Sequence, residues 1–126
     1  MTFQTVRVEE AAEVIAPDGS LVRPLCTLPE RASFARFELA PEQVSRAVSH
    51  ATVEEIWYVL GGAGRIWRAA NGLDEITELV PGVCLTIPLG TTFQFRADPA
   101  GLLVVAVTTP AWPTTPGEAR PRLGTW

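Results

Sequence analysis

The sequence predicts an all-β protein, an antiparallel sandwich or barrel. Three observations carry this. Short runs rich in β-branched and aromatic residues recur along the chain, turn dipeptides separate them, and only one segment has helical composition. The runs cover 21–26, 32–39, 53–60, 65–69, 75–80, 83–87, 92–96 and 102–108, so eight short strands are expected. Asp18-Gly19 turns the chain into the first run, Pro41 and Glu42 end the second, and Asn71-Gly72 and Pro81-Gly82 flank the fifth. Gly61-Gly62-Ala63-Gly64 reads as a flexible hairpin tip between the third and fourth runs. The helical composition is Glu-Glu-Ala-Ala-Glu, so a short helix is expected within 8–14.

At 126 residues the chain is one domain with room for a core. Residues 1–19 read as an N-terminal arm and 20–109 as the barrel. Residues 110–126 read as a Pro-rich tail that packs on the barrel. In that tail Trp112 is expected against the barrel wall or a partner subunit, and the last ten residues are expected to be mobile. Hydrophobic residues make up 47% and charged residues 19%, as in globular proteins. No apolar run reaches the roughly 20 residues needed to cross a bilayer, so no membrane association is expected. Glu9 and Glu10 lie where a secretory leader would be basic and apolar, which points to the cytoplasm.

Net charge is −4 and the ten Arg are scattered, which argues against a nucleic-acid partner. All ten cationic side chains are Arg and none is Lys. Genomic base composition accounts for that; the other reading has one or two Arg gripping a ligand carboxylate or phosphate. Cys26 and Cys84 lie far apart in apolar stretches and read as buried, reduced thiols.

Side chains alternate faces along a strand. With Glu55 inward, Trp57 and Val59 are inward too, and Glu54, Ile56, Tyr58 and Leu60 face the other way. That second set is largely apolar, so its face should also be covered, by a second sheet, the tail or another subunit. A carboxylate within such a strand needs a partner. His50, the only histidine, is the natural candidate.

Two stretches now carry a resemblance. One is Val48-Ser-His50-Ala-Thr-Val-Glu-Glu55-Ile-Trp-Tyr-Val-Leu-Gly-Gly62, and the other is Pro81-Gly-Val-Cys-Leu-Thr-Ile-Pro-Leu-Gly-Thr-Thr-Phe93. They resemble the two motifs of the cupin family. The first reads His-x-His, three or four residues, Glu, six residues, Gly. The second reads Gly, five residues, Pro-x-Gly, two residues, His, three residues, Asn. Glu55 and Gly62 match, and His50 falls on the second His with Val48 in place of the first. Gly82, Pro88 and Gly90 match, while Phe93 and Ala97 replace the His and Asn. The resemblance covers roughly residues 20 to 109. It implies a jelly-roll barrel and a homodimer. The family's metal ligands are three His and one Glu, and only His50 and Glu55 stand here in their places.

No cofactor is therefore expected. Should a divalent transition metal bind, His50 and Glu55 would be its protein ligands. Otherwise the pair forms either an acid–base centre or a structural contact. Trp57, Phe93, Phe95 and Val48 form either an aromatic-lined ligand pocket or plain core. The expected function is a barrel holding a small, mainly apolar organic molecule around His50 and Glu55. The alternatives are a cyclase or isomerase using that pair for proton transfer, and a metalloenzyme with a depleted site. Whether the protein is an enzyme stays open. Glu118, in the tail, reads as a surface acid, so Glu55→Ala is expected to cost more stability than Glu118→Ala.

Overall fold

A computed structural model describes residues 2–126. Nine strands form, all paired antiparallel: β1 (Val14–Ile15), β2 (Leu21–Leu28), β3 (Ala32–Leu39), β4 (Val48–His50), β5 (Glu54–Ala70), β6 (Leu73–Leu79), β7 (Cys84–Ile87), β8 (Thr92–Thr109) and β9 (Ala119–Pro121). The expected all-β class is present, as a jelly roll. Its axis is the β5–β8 pair, which runs from Glu54↔Thr109 to Ala69↔Thr92. The first half of β5 pairs with β7 and with the second half of β8, which carries β3, β2 and β1. The second half of β5 pairs with β6 and with the first half of β8, which carries β4 and β9. One sheet thus curls over itself into two facing layers.

The curl is made at the glycines. The β5–β8 register shifts between Val59 and Gly61 and again between Gly62 and Gly64, as bulges do when a strand must bend. Gly62 has φ +72°, and a Cβ there would sit 2.0 Å from the Gly101 carbonyl oxygen. A Cβ on Gly64 would sit 2.1 Å from the Arg96 oxygen. The glycine cluster is therefore a mid-strand corner and not the expected hairpin tip. Runs 53–60 and 65–69 are one bent strand, and so are 92–96 and 102–108. A bend with unbroken pairing leaves the same sequence signature as a turn.

Alternation places Trp57, Val59 and Ile66 of β5 inside with Phe93, Phe95, Val104 and Ala106 of β8, all nearly inaccessible. The opposite face of β5 is open in the single chain. Ile56, Tyr58 and Leu60 are each nearly half exposed, and no second layer covers them. Cys84, opposite Tyr58 on β7, shares that outer face and is exposed, contrary to the expected buried thiol. Cys26 is partly buried, and both thiols are free.

The expected N-terminal helix is a single 3-10 turn, Val8–Glu10. Arg23 of β2 donates to the Val8 carbonyl at 2.9 Å and pairs with Glu13, fastening the arm across the barrel. At the other end, the last ten residues are held in place, where mobility was expected. β9 pairs with β4, and the buried Gln94 side chain accepts from the Thr125 and Trp126 amides at 2.9 Å each.

Candidate functional site

His50 ends β4 and Glu55 lies just inside β5, joined by a tight turn at 51–53. The β5 alternation sends Glu55 and Trp57 to the interior, and the turn brings His50 beside them. His50 Nδ1 lies 3.4 Å from Glu55 Oε2, and the side chains are only 7% and 10% exposed. This is ion-pair distance without hydrogen-bond geometry. His50 Nδ1 and Trp57 Nε1 are both buried with no hydrogen-bond partner. Phe93 and Trp112 grip the imidazole edge-on, with ring centroids 5.3 and 5.1 Å away.

Burial sets the electrostatics. It pushes the Glu55 carboxyl up to about 8; the Asp18 charge adds to the rise, and the Trp57 N–H opposes it weakly. Burial also pushes His50 below its ordinary value, against the pull of Glu118 and Asp18. At neutral pH a mostly protonated acid therefore faces a neutral imidazole.

The pair opens onto a cavity of about 410 Å³. Val48, His50, Glu55 and Trp57 line it together with Phe37 of β3, the arm from Val14 to Asp18 and the tail from Trp112 to Thr114. Phe93 and Phe95 do not. They are 1% and 0% exposed and pack edge-on against Trp57, with centroids 5.9 and 4.9 Å away. Phe93 and Phe95 thus correct the expected pocket: they interlock with Trp57 as core, and the space lies elsewhere along the barrel. A larger, more open depression of about 510 Å³ sits at the Gly62–Gly101 corner. Glu38 is its only ionisable lining residue, so it offers no comparable chemistry.

Glu118 is the residue that sequence reasoning misplaced. It is 7% exposed, not a surface acid. Its carboxylate accepts from the Thr52 amide at 2.8 Å, the Val53 amide at 3.1 Å and the Thr52 hydroxyl. Burial alone would raise its pKa. Those three donors and the nearby His50 outweigh it, and the carboxyl lies below its ordinary value. Glu118 therefore clamps the turn that joins His50 to Glu55. No local signal marks it, because its partners lie 65 and 66 residues away.

The donor set does not fit a first-row metal ion. Val48 and Phe93 pair directly across β4 and β8, at the two places where the resemblance implies imidazoles. Among the described residues no group of three or more His, Cys, Asp or Glu is placed to hold a metal. Catalytic metal sites usually keep at least three protein ligands.

These features define a curled all-β barrel with a buried carboxyl–imidazole pair at the floor of its cavity. No protein-family model matches the chain, and no curated protein matches it. Solved structures do. A mutant of Bacillus subtilis oxalate decarboxylase OxdC superposes on 96% of the chain with a TM-score of 0.80 and 15% identity. The chain spans 33% of that larger protein, which has Mn(II) centres. Streptomyces PAC13 with uridine gives a TM-score of 0.76 and 17% identity over 97% of this chain and 92% of its own. KdgF from Halomonas sp. gives 0.71 and 19% over 87% and 94%. These are cupin-fold proteins, and this chain has the cupin fold. No described helix is long and apolar enough to cross a membrane.

Proposed function

We propose that this cupin-fold barrel holds a small, mainly apolar organic molecule in its interior, without a metal ion, and that His50 and Glu55 are its polar centre. One observation carries the reading. The 410 Å³ cavity is of ligand size, and two residues that line it, His50 and Trp57, each carry a buried ring nitrogen without a hydrogen-bond partner. Buried polar atoms are ordinarily paired, and a ligand supplies the missing partner. The structure of Streptomyces PAC13 with uridine supports an organic ligand within this fold. The test is a ligand panel read by tryptophan fluorescence. Ala35→Phe, which fills part of the cavity from β3, should abolish any response. A response that survives the filling would place binding elsewhere. Elemental analysis should find no stoichiometric transition metal, and about one per chain would overturn the metal-free part.

A second reading, an enzyme moving protons between substrate and the pair, is favoured by one further observation. Glu55 is pushed up to about 8, so it ionises near working pH as a general acid must, while burial pushes the neighbouring imidazole toward its neutral, proton-accepting form. His50→Ala would then abolish turnover of a bound ligand, whereas in a pure binder it changes affinity alone. We further propose a homodimer through the half-exposed Ile56, Tyr58 and Leu60 on the outer face of β5. Light scattering checks it: Tyr58→Arg should give the mass of one chain.

A further inference from the structure

We propose that the cavity selects a neutral organic molecule carrying a hydrogen-bond acceptor such as a carbonyl oxygen, and rejects organic anions. The inference rests on the cavity reading above and adds the ligand's charge and functional group.

The charge follows from what lines the cavity. The chain has ten Arg, yet none lies in its wall. Arg23, on neighbouring β2, is already engaged by Glu13 and the Val8 carbonyl. The wall instead holds Asp18 and Glu55, and Glu118 lies close enough to act on His50. The Asp18 carboxylate accepts from the Ser20 amide and hydroxyl at 2.9 and 2.7 Å. An anion would enter a poorly solvated space facing like charge, with no guanidinium to receive it.

The acceptor follows from Trp57. An indole N–H can only donate. Here Trp57 lines the cavity, 2% exposed, and its buried N–H lies beside Glu55 without hydrogen-bond geometry to any group. The neighbouring Glu55, mostly protonated at pH 7, adds a second donor. A carbonyl oxygen placed between them would satisfy both. An ammonium group would find the Asp18 carboxylate and aromatic walls, but it would leave the indole N–H unpaired and set a cation against it.

Four probes of one size separate these cases at pH 7: acetophenone, ethylbenzene, benzoate and benzylamine. Affinity is read by titration, and the site by the Trp57 Nε1–H resonance in an NMR spectrum of the unaltered protein. Acetophenone should bind about tenfold more tightly than ethylbenzene, the worth of one buried hydrogen bond, and should shift that resonance downfield. Benzoate should bind weakest. Trp57→Phe should narrow the gap between acetophenone and ethylbenzene, with the Glu55 donor left in place. If that variant does not fold, the resonance shift in the unaltered protein still decides. Benzoate binding as tightly as acetophenone would overturn the charge argument and leave the cavity reading standing. Benzylamine binding tightest would overturn it in favour of a cation site. Equal affinity for acetophenone and ethylbenzene, with the indole resonance unmoved, would overturn the acceptor. If none of the four binds, the cavity reading falls too.

Discussion

Glu55 and Glu118 are two enclosed carboxylates on either side of one short turn, and they are built in opposite ways. Glu118 has three donors and a carboxyl held below its ordinary value. Glu55 has a histidine at 3.4 Å, a Trp57 N–H nearby that falls short of hydrogen-bond geometry, and a carboxyl pushed up to about 8. Burial acts the same way on both; the donors make the difference. A satisfied carboxylate fixes the backbone around it. An unsatisfied one, beside an equally unsatisfied imidazole and an open cavity, is held ready for something else. The clamp is what allows the second arrangement, since it fixes the turn that carries His50 to Glu55.

The contrast is sharpest in stability, and it reverses the order expected from the sequence. Glu118→Ala strands the Thr52 and Val53 amides and should cost about 3 kcal/mol in urea unfolding at pH 7. Glu55→Gln replaces a mostly neutral acid by a neutral amide of the same shape that needs no proton taken up on folding, so it should cost nothing at pH 7 and should raise stability there. Equal losses would mean that Glu55 has a partner after all, and the two sites would no longer differ in kind.

The next largest effect is in pH dependence. Glu55 rises from 4.5 in the unfolded chain to about 8, so its contribution is fully present below 4.5 and is lost as pH climbs through 8. His50 runs the other way. Its folded pKa lies below 6.5, so its contribution is fully present above 6.5 and lost as pH falls. Below 6.5 the His50 slope opposes that of Glu55. From 6.5 to 8 only Glu55 acts, and stability should fall by about 1.4 kcal/mol per pH unit, about 2 kcal/mol in all. Glu55→Gln should remove that fall. A fall that persists in the variant would assign it to another group.

The sequence reveals the fold more fully than the site. Alternation in Glu55-Ile-Trp57-Tyr-Val59 gives the correct inner and outer faces, because period 2 is a property of the strand itself. Gly82, Pro88 and Gly90 mark turns for the same local reason. The bend at Gly62 and Gly64 is not legible, since its cause is the approach of Gly101 and Arg96 from a distant strand. His50 beside Glu55 can be anticipated from the pairing a buried carboxylate demands. Phe93 and Phe95 cannot be sorted into core or cavity wall by alternation alone. Both point inward, and which space is filled depends on Trp57, Phe37 and the arm. Glu118 is the limiting case, a short Pro-rich tail residue whose role exists only once β9 lies beside β4.

The smallest effect tests whether the clamp works through charge. Thr52→Val removes one of the three donors to Glu118 and keeps the shape of the side chain. The two amides remain, so the cost should be about 1 kcal/mol at pH 7. It should also depend on pH in a definite sense. The folded Glu118 carboxyl lies below 4.5, so its contribution is present above 4.5 and is lost as pH falls through the folded value. Removing the hydroxyl lets that value drift back toward 4.5, so the variant has less to lose on acidification. Wild type and variant should therefore converge in stability as the carboxylate is protonated, while remaining apart at pH 7. Chemical unfolding at pH 3 and pH 7 reads this directly. An equal gap at both values would show that Thr52 acts by packing, and the clamp would then rest on the Thr52 and Val53 amides alone.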